Sequence, residues 1–352
     1  MRVLVIADPH IPVPPEKYGG TERIAHLLCD ELAKRGYAVD LVAGKGSRSY
    51  GGRLYSHRAP NSSCVSRAYR KICFQLLSLK AARSADVVIT FGRPDYLWAL
   101  YRTSKPIVVR FANPLNQTQI DEVLEHNPRR LRFIGISQDH VSGLVPPDLF
   151  DVVPNAVDVD RYSFQIQPSE PPYVVFLGRM TANKGVHLAI QASRAAGVRL
   201  ILAGNRPSEP GAVEYFHQEI EPFLSEEIRW VGPVNDDIKA KLLGGASAML
   251  FPIQWREPFG IVMIEALACG CPVIAWRNGS VPEVVRHGET GFVVESVDQI
   301  AGAIRNIGTI DRATCRRDAE LRFSADTMVD GYLRVIDKLR VKRTCSMPLG
   351  RI

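Results

Sequence analysis

The chain has 352 residues, more than one core of ordinary size accommodates and about right for two domains. Hydrophobic residues make up 46% and charged residues 23%, with 27 Gly and 24 Pro, a balance that excludes collagen, a coiled coil or wholesale disorder. Lys and Arg outnumber Asp and Glu by 44 to 37, so the net charge is +7 and anionic partners become candidates.

The opening MRVLVIADPH carries one Arg before a short strand-like run and no small-residue cleavage site, which reads as the absence of a secretory leader and as a cytoplasmic location. Apolar runs such as VLVIA and GVRLILAG stop far short of the roughly 20 residues that cross a bilayer. From Met1 onward, short Val, Ile and Leu runs alternate with stretches of helical period, the mark of βαβ units and parallel sheets. Strands are predicted near 3–7, 39–43, 86–90, 107–111 and 133–137, and again near 173–177, 199–203, 228–232, 248–252, 273–276 and 291–294. Runs this continuous suit strands covered on both faces. In the first helix, GTERIAHLLCDELAKRG, Thr21 is the expected cap, Ile24, Leu27, Leu28 and Leu32 form one apolar face, and Gly36 is the stop. Pro168, Pro171 and Pro172 interrupt the rhythm and place the domain boundary near 168, giving domains 1–167 and 168–322. A final helix with Met328, Tyr332, Val335, Ile336 and Leu339 on one stripe, followed by a basic tail, accounts for 323–352.

Seven cysteines, with no paired CxxC spacings, read as reduced thiols, including Cys269 and Cys271 at a helix end. Between Asp40 and Asp86 the chain has no acidic residue but nine cations: Lys45, Arg48, Arg53, Arg58, Arg67, Arg70, Lys71, Lys80 and Arg83. Such a block draws a nucleic acid, an anionic lipid surface or an acidic small substrate, or is simply a solvated face.

Neither GxGxxG nor GxxxxGK[ST] occurs, which removes the main support for a dehydrogenase or a P-loop ATPase. The Gly19-Gly20 turn ahead of the first helix can present bare amides to an anion, or be a plain turn. Arg179 follows a strand and Lys184 opens the next helix, a pair suited to a diphosphate; the alternative is two surface cations. In REPFGIVMIEALACGCPVIA, Glu257 lies in a loop and Glu265 sits eight residues on, in an apolar helix where an unpaired charge is costly. That spacing lets the two carboxylates address different hydroxyls of one extended ligand, while the amides of Phe259, Gly260 and Ile261 face a negative group. Asp158 and Asp160 form a DxD inside the junction, read as a turn rather than a metal site. The eight His residues are scattered, and His187 and His287 read as packed or surface residues.

EPFGIVMIEALACGCPVIA resembles the signature of family-4 retaining glycosyltransferases of the GT-B fold, and PPEKYGGTERIAHLLCDELAKRGYAVDLVA, VVPNAVDVDRY, FLGRMTANKGVHLAI and NGSVPEVVRHGETGFVV occur in the family's order. The resemblance implies two Rossmann-like domains facing across a cleft, with the C-terminal helix packing back on the first. It implies a nucleotide-diphosphate sugar held mainly by the second domain: Glu265 on the ribose, Arg179 and Lys184 on the diphosphate, Glu257 on the sugar, and Gly19-Gly20 near the phosphates. Transfer with retention, usually without a metal, follows from the same likeness. The chain departs from the family in carrying VVRFANPLNQ, with Arg110 and Asn113, where many relatives have a His. The expected acceptor is a glycan or lipid-linked saccharide, with residues 45–83 as the contact with an anionic membrane; SRAYRKICFQLLSLKAAR has Ile72, Leu76 and Leu79 on one side. A small soluble acceptor, or a nucleotide-sugar-binding subunit without turnover, is the alternative. No nucleic-acid partner is expected, because aromatic residues do not interleave the cations.

Overall fold

The computed structural model describes residues 1–15, 19–57, 67–91, 97–125 and 130–341. The chain divides into two compact units, one made of 1–155 with 325–352 and the other of 156–324.

The first unit contains a sheet of seven strands: β1 (Arg2–Ile6), β2 (Ala38–Gly44), β3 (Gly51–His57), β4 (Val87–Thr90), β5 (Ile107–Arg110), β6 (Leu131–Gly135) and β7 (Phe150–Val152). Their order is β3-β2-β1-β4-β5-β6-β7, and each neighbouring pair is parallel. Strand β1 lies at the reversal of order, with Val3 paired to Val39 on one side and Val87 on the other. Its Val3, Leu4, Val5 and Ile6 are fully buried, as expected of a strand covered on both faces.

Two of these strands escape the sequence reading. Gly51–His57 spells GGRLYSH, which is poor in β-formers; it pairs because the Arg53 amide donates to Asp40 Oδ1 at 2.7 Å and Gly52 lies against the Val39 carbonyl, 2.2 Å from where a Cβ would stand. Phe150–Val152 is too short to show a period.

Helix Gly20–Lys34 buries Ile24, Ala25, Leu28, Cys29 and Leu32. The expected cap is corrected: Gly19, with φ 159 and ψ 72, takes the N-cap position without a side-chain bond, and Thr21 lies inside the helix. The Glu22 side chain packs beside this turn, since a Cβ on Gly19 would stand 2.9 Å from its Oε2. The stop is as expected, with Gly36 at φ 80 and the Tyr37 amide reaching back to the Leu32 carbonyl.

Helix Ala325–Val341 belongs to the first unit, where Met328, Tyr332, Val335, Ile336 and Leu339 are all buried. Arg35 binds Asp330 at 2.6 Å at one end, and Lys338 pairs with Asp151 at the other. Asp151 also pairs at 2.6 Å with Arg132, and both side chains are nearly inaccessible.

The second unit holds β8 (Tyr173–Leu177), β9 (Arg199–Ala203), β10 (Ile228–Trp230), β11 (Ala248–Phe251), β12 (Val273–Trp276) and β13 (Gly291–Val294). They run parallel in the order β10-β9-β8-β11-β12-β13. The unit begins at Ala156, ahead of the boundary read near 168. The prolines interrupt the rhythm, but hydrogen bonding decides the division: the Val157 amide donates to Phe323 O at 2.9 Å and the Gln165 amide to Cys269 O at 3.1 Å. Cys269, Cys271 and Cys315 are buried free thiols, pushed up to about 12 by burial, in keeping with packing roles. Among the described residues no helix is long and apolar enough to cross a membrane.

Candidate functional site

In the second sheet the chain leaves β8 toward β9 and β10, then returns to build β11, β12 and β13 on the other side. The order therefore reverses between β8 and β11, and the loops at their carboxyl ends flank the crevice where open α/β sheets take ligands. Arg179 and Lys184 follow β8; Glu257 and the start of helix Ile261–Ala268 follow β11.

The two loops are laced together by backbone. Lys184 ends the 3-10 turn Ala182–Lys184, and Gly185, at φ 73 and ψ 28, turns the chain into helix Val186–Ala196. A Cβ on Gly185 would stand 1.9 Å from the Pro252 carbonyl oxygen, so only glycine allows this approach. The Gln254 amide donates to Asn183 O at 2.9 Å.

Lys184 and Glu257 meet directly, Nζ to Oε2 at 2.6 Å, with 17% and 13% of their side chains exposed. The same oxygen accepts Trp255 Nε1 at 2.9 Å, and the ammonium lies 5.1 Å from the Trp255 ring centroid. The Glu257 backbone is held from a third loop, since Ser280 donates to its carbonyl at 3.0 Å and Gly279 leaves no room for a side chain there. The cation and the carboxylate are thus fixed in place rather than left on mobile surface side chains.

Phe259 is buried at 3% exposure, its ring edge-on to Phe323 at 5.9 Å, so its side chain anchors the loop and only its amide can serve a ligand. Gly260 has φ 76 and ψ 68 at the N-cap of the helix, without a side-chain cap. The amides of Phe259, Gly260 and Ile261 find no acceptor among the described residues. Three open donors at a helix start attract an anion.

Glu265, buried at 7% exposure, accepts the Tyr162 hydroxyl at 2.7 Å and Lys239 Nζ at 2.5 Å. It belongs to a separate cluster from the Lys184–Glu257 pair. Arg179 is exposed at the end of β8 and makes no side-chain hydrogen bond or ion pair among the described residues, so it is not drawn into contact with Lys184. Trp255, Lys239 and Tyr162 are partners that sequence reasoning missed.

Gly19 and Gly20 lie in the first unit, after β1 and at the point where its strand order reverses. Glu22 is buried there, its carboxyl raised chiefly by burial. Arg110 is also buried, donates to Asn155 Oδ1, and stands 4.9 Å over the Phe91 ring; burial lowers its guanidinium. Asn113 contributes its carbonyl to His140 Nε2 at 2.7 Å. Asp158 flanks and Asp160 lies in the turn Val159–Arg161, and no group of three or more His, Cys, Asp or Glu able to hold a metal occurs among the described residues. His187 is half-buried and bonds Tyr215 at 2.9 Å, whereas His287 is exposed and accepts from the Val293 amide at 3.1 Å. In the basic block, Arg58 and the Arg67 side chain lie outside the described residues, while Lys45, Arg48, Arg53, Lys80 and Arg83 are exposed.

Two parallel-sheet units with loop sites at a strand-order reversal define the GT-B class of fold. Solved structures agree. AviGT4, a glycosyltransferase involved in avilamycin A biosynthesis, matches 97% of this chain and 98% of its own at a TM-score of 0.73 and 23% identity. Anabaena HepE in complex with UDP and glucose matches 96% of this chain and 100% of its own at a TM-score of 0.71 and 19% identity. The chain is 32% identical over 344 residues to the alpha-maltose-1-phosphate synthase of Mycolicibacterium smegmatis, covering 84% of each. The family model for glycosyl transferases group 1 matches residues 158–317, and the chain belongs to that family.

Proposed function

We propose that the chain moves a hexose from a nucleotide-diphosphate sugar, UDP- or GDP-linked, to a hydroxyl of a glycoconjugate, with retention at the anomeric carbon. The supporting observation is that Lys184, Glu257 and the open amides of Phe259, Gly260 and Ile261 lie on loops at the strand-order reversal of one sheet. The UDP and glucose held by HepE and the kinship with a maltose-phosphate synthase add to it.

Arg179 and Lys184 take the diphosphate, Glu257 accepts from a hydroxyl of the donor sugar, Glu265 accepts from the ribose, and the Gly19-Gly20 turn offers amides to an anionic group. As the bond from the anomeric carbon to the diphosphate breaks, its electrons move onto the leaving group, the acceptor hydroxyl oxygen bonds the same face, and its proton passes to the departing diphosphate oxygen. Charge thereby grows where fixed cations and amides await it, so they stabilise the transition state more than the ground state. The reading assigns this task to residues rather than to a metal.

The test is nucleoside diphosphate release from UDP-glucose, UDP-galactose, GDP-mannose and ADP-glucose, each with and without free hexoses. Turnover of at least one donor is expected, the transferred sugar keeping its anomeric configuration by NMR. Tight binding of a donor without any release would instead favour a non-catalytic subunit, and strong stimulation by a free hexose would favour a small soluble acceptor.

A lipid-linked acceptor at an anionic membrane is the reading favoured for helix Arg67–Ala82. Tyr69, Ile72 and Leu76 are 57%, 54% and 61% exposed on one helix face, with Lys80 and Arg83 exposed beyond them, while Phe74, Ser78 and Ala81 face the core. Leu79 is half-buried, so Tyr69 takes the place expected of it in the outward stripe. An apolar stripe continued by cations suits an anionic bilayer surface. The protein should co-sediment with phosphatidylglycerol vesicles at low salt, and the double variant Ile72→Glu, Leu76→Glu should stay in the supernatant. Wild-type protein that fails to sediment at low salt sinks the membrane reading.

A further inference from the structure

Glu265 rides on helix Ile261–Ala268 among buried Met263, Ile264, Ala266 and Leu267, where a carboxylate must be neutralised and hydrogen-bonded. Both of its partners bind the same atom. Tyr162 donates its hydroxyl to Oε1 at 2.7 Å and Lys239 its ammonium at 2.5 Å, whereas Oε2 accepts no hydrogen bond among the described residues. A carboxylate offers about four acceptor sites, two on each oxygen, so Oε1 is fully used and Oε2 keeps its whole capacity.

The two donors are themselves held. Lys239, on helix Asp236–Gly245, also pairs with Asp236 Oδ1 at 3.1 Å and lies 5.8 Å from the Tyr162 ring centroid. Arg316 Nη1 donates to the carbonyls of Tyr162 at 2.6 Å, Val159 at 3.1 Å and Ala268 at 2.8 Å. This fastens the Tyr162 segment to the end of the helix that carries Glu265.

We infer that Lys239 and Tyr162 are positioning residues that occupy Glu265 Oε1 and so leave Oε2 alone to receive ribose hydroxyls, setting the preference for a ribonucleotide donor. This rests on the ribose role proposed above for Glu265. A plain neutralising ion pair would steady the protein without choosing between sugars. A positioning pair must alter the discrimination itself.

Calorimetric binding of UDP, GDP and ADP, each beside its 2′-deoxy and 3′-deoxy counterpart, separates these roles. Wild-type protein should prefer the ribonucleotide over at least one deoxy form by about tenfold or more, the worth of a charged hydrogen bond. Glu265→Ala should abolish that preference. Lys239→Met and Tyr162→Phe should each reduce it severalfold while deoxynucleotide affinity stays within about twofold, and Lys239→Arg should restore most of it. Tyr162→Phe removes one oxygen only and keeps the test open if Lys239→Met fails to fold. Preference surviving in Glu265→Ala, or no binding of any nucleotide, overturns the ribose reading and this inference with it. Preference lost in Glu265→Ala but intact in both Lys239→Met and Tyr162→Phe overturns the positioning role alone. Equal weakening of ribo and deoxy forms by those two variants does the same.

Discussion

Lys184→Ala is expected to lower kcat by about 10²-fold or more, because the ammonium is assigned to charge that develops on the departing diphosphate and not to charge already balanced in the bound donor. The loss should fall mainly on kcat, with a smaller rise in KM. The variant also strands Glu257, whose side chain is 13% exposed and keeps, among the described residues, Trp255 alone as a polar partner, so some loss of stability accompanies it. Stopped-flow or initial-rate assays with the best donor, run beside circular dichroism at the assay temperature, separate the two effects. Lys184→Arg keeps a cation but changes its geometry and should recover part of the rate. A Lys184→Ala enzyme within threefold of wild type in kcat would remove Lys184 from the chemistry.

Gly185→Ala is expected to cost about 2–5 kcal/mol, the sum of a left-handed conformation forced on a non-glycine residue and a core overlap. Its φ of 73 is unfavourable for alanine, and the new methyl would meet the Pro252 carbonyl at 1.9 Å. Backbone cannot yield there without moving the loop that bears Glu257. Gly197 ends the same helix at φ 68 with nothing within 4 Å of its Cβ, so Gly197→Ala carries the conformational penalty without the overlap. Differential scanning calorimetry should show Gly185→Ala melting roughly 10 °C below wild type and Gly197→Ala only a few degrees below. Equal melting temperatures for the two variants would mean that the contact with Pro252 is not rigid.

The second sheet was legible because its strands are uninterrupted apolar runs: Tyr173–Leu177, Arg199–Ala203, Val273–Trp276 and Gly291–Val294 fall where the sequence places them. Gly51–His57 was not, since its pairing depends on Asp40 and Val39, residues on another strand. Thr21 looked like a cap because its hydroxyl precedes an apolar period, yet the helix already begins at Gly20, and Gly19 holds the N-cap without a side-chain bond.

The site divides along the same line. Lys184 and Glu257 announce themselves as charges on loops after strands, and adjacent parallel strands bring such loops together. Tyr162 and Lys239 lie 103 and 26 residues from Glu265, so their link to it has no local trace. Arg179 shows the converse: its place at the end of β8 was readable, but its side chain is exposed and its charge finds no partner among the described residues.

The first unit is assembled from two stretches of chain, with the whole of the second unit spelled out between them. During synthesis, Leu28 and its neighbours can shelter early, but the flank reserved for Tyr332 and Ile336 stays wet until more than three hundred residues have been made. The contiguous second unit has no such wait and can close first, leaving the nascent first sheet as the part exposed longest to proteases and chaperones. Cleavage near Ser324 would therefore injure the fold whose amino-terminal strand lies at the opposite end of the sequence.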